Sequence, residues 1–195
     1  MIFLKDSYPI FNSKHEYIDI HLTSDDIYLR NIFKLFLILF YSLCFGLGIM
    51  MYTYHSKFVH SAFCFLGFLV ISFIIVIPLH ILLHILTLPG NFSDDELCVG
   101  FNKKYLDFFV IYNKPISKKN LIISSIFPLL FISIITFLLL VFEFTNMFIY
   151  ALFCSNILMS TQDIYDTYIL LKDKSEEEHT KYIKVENSIY KMNMK

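Results

Sequence analysis

From Phe58 to Leu88 the chain carries no Asp, Glu, Lys or Arg, and Leu121 to Phe142 is equally free of them. Charged residues make up only 17% of the 195, against 56% apolar, so the charges are crowded into a few places. A helix needs about 20 predominantly apolar residues to span a bilayer, and each uncharged stretch is long enough. A soluble protein can bury one such helix but hardly several, which argues against a soluble all-helical core.

Other absences narrow the field further. The net charge is −1, and the basic residues fall in loops without forming a basic helical face, so nothing favours a nucleic-acid partner. The four cysteines are Cys44, Cys64, Cys98 and Cys154. Three lie in apolar segments and none forms a C-x-x-C, which argues against a disulfide framework and against a cysteine zinc site. No apolar stretch of signal-peptide length follows Lys5, and no cleaved leader is expected.

What remains reads as an all-α membrane protein with four transmembrane helices and a small cytoplasmic β-hairpin between the second and third. Residues 1–30 form a polar N-terminal segment with a weak strand signal, in which Ile18, Ile20 and Leu22 alternate with Asp19 and His21. Thr23-Ser24-Asp25-Asp26 looks like a helix start, with hydroxyl caps and first-turn carboxylates. A membrane domain at 31–171 follows, with spans near Ile32–Tyr54, within Phe58–Leu88, and near Leu121–Phe142 and Phe144–Leu171. Pro78 predicts a kink or break in the second span, and Pro89-Gly90 ends it. Between the second and third spans, Leu97, Val99 and Phe101 alternate, as do Leu106, Phe108, Val110 and Tyr112, and this predicts the hairpin at 96–112. Residues 172–195 form a charged tail, with Ser175–Glu178 as solvated surface.

The basic residues also set an orientation. Four lie before or at the start of the first span, five between the second and third, and six after the fourth; only Lys57 lies in the remaining links. The positive-inside rule therefore predicts a cell-membrane protein with both ends and the hairpin in the cytoplasm.

Two polar features sit inside the apolar segments. His80 and His84 are four apart, hence on one helical face, and can reach one metal at about 2.0–2.1 Å. In the fourth span Asn156, Ser160, Asp163 and Thr167 form a polar stripe at spacings of 4, 3 and 4. An ionisable group at membrane depth costs on the order of 2.5–3.5 kcal/mol and usually faces the bundle interior. His84 and Asp163 stand four and eight residues from the ends of parallel spans, which puts them within roughly 6 Å in depth at about 1.5 Å per residue. Two His and one Asp suit a three-ligand zinc site with an open position. His55 and His60 are expected near the opposite face, and His15, His21 and His179 at the surface. The competing reading is that a His pair and a polar stripe simply pack helices together, as in a membrane scaffold or transporter subunit.

From about His80 to Leu171 the sequence resembles a bacterial membrane family of zincin peptidases. The family pattern is an H-E-x-x-H helix, a loop to a lysine-bearing segment, a span with an internal proline, and a last span carrying a small or polar residue, a Ser and an Asp. The counterparts here are His80 and His84, Lys114–Lys119, Pro128, and Asn156, Ser160 and Asp163. The resemblance implies a membrane-embedded metallopeptidase-like fold, similar to the site-2 proteases, from about residue 75. It also implies zinc held by His80, His84 and Asp163, with Asn156 and Ser160 as supporting residues. One departure bears on chemistry: Ile81 stands where the general-base glutamate belongs, and isoleucine cannot accept a proton. Gln162 replaces the glycine more usual before the Asp. Asp166, one turn beyond Asp163, is the available substitute base. The expectation is a degenerate protease that keeps its zinc and binds a peptide or membrane-protein segment, with an active protease using a displaced base as the alternative.

Overall fold

A computed structural model of the chain describes residues 2–5, 18–19, 25–53, 58–89, 97–102, 107–142, 147–174, 180–185 and 188–193. Its elements in chain order are β1 (Ile2–Lys5), β2 (Ile18–Asp19), α1 (Asp25–Thr53), α2 (Phe58–Thr87), β3 (Leu97–Asn102), β4 (Asp107–Tyr112), α3 (Lys118–Val141), α4 (Met147–Met159), α5 (Thr161–Lys172), β5 (Thr180–Val185) and β6 (Ser188–Asn193).

The structure is mostly helical. Three helices are long and apolar enough to cross a membrane, over Arg30–Ile49, Phe63–Thr87 and Lys118–Val141, and α4 is a shorter apolar helix. Their outward faces are greasy: Phe45 and Phe63 are more than two-thirds exposed, as is Ile74. Soluble monomers rarely present apolar patches of this extent, whereas lipid tails solvate them. α1 starts at Asp25, within the expected cap. α2 continues through Pro78 without a break.

The expected fourth span is divided. α4 ends at Met159 and α5 begins at Thr161, with Ser160 between them. The local cause is hydroxyl competition for backbone groups. The Asn156 carbonyl, which takes the ordinary helical N–H of Ser160 at 3.0 Å, also accepts Ser160 Oγ at 2.8 Å, and Thr161 Oγ1 donates to Leu158 O at 2.7 Å. The break has a consequence for charge, because it puts Asp163 in the first turn of α5, where the helix dipole favours a carboxylate.

The all-α expectation needs correcting as well. The 96–112 hairpin is present as antiparallel β3 and β4, in register from Leu97↔Tyr112 to Asn102↔Asp107. But β1 adds to it in parallel, Ile2 opposite Cys98, making a three-stranded sheet of order β1-β3-β4. A second sheet of order β2-β6-β5 joins the N-terminal Ile18–Asp19 to a C-terminal hairpin. The tail's lysines conceal a strand pattern: Tyr182, Ile183, Ile189 and Met192 are buried. Ile20, Leu22, the hairpin turn at 103–106, Gly90 and Ser175–Glu178 lie outside the described residues, as do His15, His21, His55, His179 and the side chain of His60.

The chain divides into two compact units, each assembled from separate stretches. One comprises Ser24–His80 and Pro128–Asp163. Its core is Leu47, Met51, Phe65, Ala151 and Cys154, and within it the Tyr150 hydroxyl donates to Leu43 O at 2.7 Å. The other comprises Met1–Thr23, Ile81–Phe127 and Ile164–Lys195 and holds both sheets. Here Ile85, Leu97 and Val99 form one apolar cluster, and Ile116, Leu121, Leu170, Tyr182 and Ile189 another, with Leu88 and Tyr112 packed against both. The division passes through three continuous helices: α2 after His80, α3 after Phe127 and α5 after Asp163.

Candidate metal centre

His80 and His84 occupy one face of α2, a turn apart. His80 Nε2 lies 3.1 Å from Asp163 Oδ2, and both side chains are almost fully buried. His80, His84 and Asp163 each present one ligand atom, all within 4.8 Å of one another. Two ligands in tetrahedral array at zinc distances are about 3.3 Å apart, so the His80–Asp163 separation suits a shared ion.

The far sides of both imidazoles are also held. The Asn156 amide nitrogen donates to Leu129 O at 3.0 Å and to Ser133 Oγ at 2.9 Å, which fixes the amide's orientation. Its Oδ1 thereby faces His80 Nδ1, 3.4 Å away, as an acceptor. His84 Nδ1 meets the Ser124 carbonyl at 2.8 Å, and a carbonyl can only accept. The Ser124 carbonyl calls for a proton on His84 Nδ1, and the Asn156 amide oxygen suits one on His80 Nδ1, an arrangement in which the Nε2 atoms can serve as metal ligands.

That assignment is the fit test for zinc. His80 Nε2 and the carboxylate of Asp163 stand 3.1 Å apart; with the ring proton on Nδ1 they would be two acceptors, which repel at that distance unless a proton or a cation lies between them. A second proton on His80 would serve for that pair alone. A divalent ion would also engage His84, using the donor set of two imidazoles and a carboxylate that zinc favours. The residues present fit the metal.

The other expected residues fall out as follows. Asn156 is fully buried and sits behind His80 as a supporting partner. Ser160 turns its hydroxyl back to the Asn156 carbonyl at the end of α4. Ile81 is half-buried and packs against Ile85, Leu97 and Val99. Asp166 is buried with Lys184 Nζ 2.6 Å from its Oδ2. Ser124, Ser133 and Lys184 were not anticipated. Ser133 had no distinguishing signal, but Ser124 had one in Pro128, four residues on.

Residues 73–177, more than half of the chain, match a family described as "Putative zincin peptidase". The chain belongs to this family. No curated protein and no solved structure matches it. The zincin-peptidase match takes in all three candidate ligands and stops short of β5 and β6, so the C-terminal hairpin and Lys184 lie outside the matched region.

Proposed function

We propose that the chain is a membrane-embedded zincin-peptidase relative that binds zinc through His80, His84 and Asp163 and has lost most or all hydrolytic power. The observation carrying this reading is the convergence of the candidate ligands: both imidazoles are held through Nδ1, and His80, His84 and Asp163 bring one ligand atom each to within 4.8 Å of one another. Zinc held there would supply Lewis acidity, polarising an oxygen brought to its open position. Neither of the two positions considered for a general base suits that role. Ile81 offers no proton acceptor and belongs to an apolar cluster. Asp166, the substitute base, is engaged by Lys184.

The partner in this reading is an extended peptide or membrane-protein segment. β3 is flanked on both sides, by β1 and β4, and no other described strand pairs with β4 in its sheet. The hairpin at 96–112 would offer an edge strand to such a segment, taking main-chain hydrogen bonds for affinity. The lipid bilayer surrounds α1, α2 and α3, with the chain ends and the hairpin on the cytoplasmic side.

One observation favours a rival from another class. A distance of 3.1 Å also suits a hydrogen bond between protonated His80 and Asp163, and a membrane scaffold without metal would need no more. Metal analysis of the purified protein separates the two. The expected result is close to one zinc per chain, reduced to background in His80→Ala/His84→Ala. Metal-free native protein that cannot be loaded with zinc would leave the scaffold reading standing.

A further inference from the structure

Pro128 lies in the middle of α3, four residues after Ser124. In an uninterrupted α-helix the carbonyl of residue 124 accepts the N–H of residue 128. Proline has no N–H, so the covalent structure itself leaves the Ser124 carbonyl without its helical donor. In a membrane-buried helix such a carbonyl must find a partner, because an unsatisfied backbone group there costs several kcal/mol. His84 Nδ1 stands 2.8 Å from this oxygen.

We propose that Pro128 is a positioning residue for the metal centre: it withholds an N–H from Ser124 O so that this carbonyl is open to His84, fixing the His84 ring with Nδ1 protonated and Nε2 as the nitrogen that would take a metal. The proline is buried and acts through α3's backbone, away from the ligands themselves. Histidine ligands in metal sites commonly depend on such a partner for tautomer and ring orientation. For His80 that partner is an amide side chain, Asn156. For His84 it is a backbone carbonyl, which no side-chain substitution at Ser124 would remove. The residue that controls it is the one four places on.

This inference rests on the proposed zinc site for its role, yet its geometry can be tested in metal-free protein. In full-length protein in detergent, nitrogen-15 chemical shifts of the histidine rings report which nitrogen carries the proton. Native His84 should carry it on Nδ1. A proton on Nε2 instead would overturn the proposal, whether or not zinc binds. Pro128→Ala restores an N–H that competes for Ser124 O. It should lower the Nδ1-protonated population of His84 and weaken zinc binding about 10–100-fold, the range seen when a ligand's orienting partner is lost.

An α-hydroxy analogue of alanine at position 128 separates the missing N–H from the proline ring. It forms an ester, has no N–H, and should restore both the tautomer and the affinity. An unchanged tautomer in Pro128→Ala, or failure of the ester to restore it, would show that the ring and its kink matter rather than the missing N–H, and the proposal would fall. If the native protein binds no zinc but the tautomer responds as described, the metal reading fails and the role of Pro128 in holding His84 stands.

Discussion

Lys184 on β5 places its ammonium nitrogen 2.6 Å from Asp166 of α5, whose side chain is 1% exposed against 21% for the lysine. A carboxylate so deeply buried needs a compensating charge, and removing one partner of a buried pair leaves the other uncompensated, at a cost on the order of 3–5 kcal/mol. Lys184→Met should therefore lower the thermal unfolding midpoint in detergent sharply, and Lys184→Met/Asp166→Asn should recover most of the loss. Zinc content should be retained in the double variant, since neither residue belongs to the ligand set. A double variant as unstable as the single one would mean that the pair is not coupled.

Packing of α1 on α4 leads to a second prediction. A Cβ at Gly46 would lie 2.6 Å from Tyr150 Oη and 3.7 Å from its Cζ. The hydroxyl is not free to yield, because it donates to Leu43 O. Gly46→Ala should destabilise by about 1–3 kcal/mol, as overpacking does. Adding Tyr150→Phe removes the clashing atom and leaves only an ordinary contact. The double variant should thus be more stable than Gly46→Ala alone, as read by thermal unfolding; an additive loss would count against this contact.

Orientation in the membrane is open to direct measurement. With fifteen basic residues assigned to one side and one to the other, reporter fusions after residues 30, 105 and 175 should report cytoplasm, and a fusion at Lys57 the outside. A fusion at 105 reporting the outside would overturn the four-span arrangement.

The separate legibility of ligands and supports has a physical basis. The grouping of His80, His84 and Asp163 as candidate ligands could be read from sequence because charge is scarce in apolar helices, and helical spacing with span direction is enough to assign a depth. Asn156 stood out on the same stripe. Ser124 could not be found that way, since the group that matters is a main-chain carbonyl and any residue supplies one; only Pro128 marks it. Lys184 fell in what read only as a charged tail, because in β5 lysines flank the buried Tyr182 and Ile183, and its partner Asp166 lies on another element. The end strands β1 and β2 are too short to show a period, and they are specified by pairing with β3 and β6. The break in the fourth span follows from hydroxyls at Ser160 and Thr161 that compete with the ladder, a local effect that average hydropathy hides.

Catalysis turns on residue 81. General acid–base assistance typically contributes about 10²–10⁴-fold, so with isoleucine in the general-base position the native protein is expected to give no measurable cleavage of membrane-protein substrates while still binding zinc. Restoring a glutamate is not expected to be sufficient. Ile81 packs against Ile85, Leu97 and Val99, and a carboxylate there would meet apolar side chains; burying an unpaired polar group costs on the order of 1–3 kcal/mol. Ile81→Glu should therefore lower the unfolding midpoint and leave proteolysis undetected. Cleavage gained by Ile81→Glu would show that the side chain can turn from the cluster toward the ligands. The displaced-base reading makes a different demand: zinc-dependent cleavage by the native protein, lost in an Asp166→Asn variant that keeps its fold and its zinc. That result would establish Asp166 as the base in spite of Lys184, and the pseudoprotease reading would be abandoned.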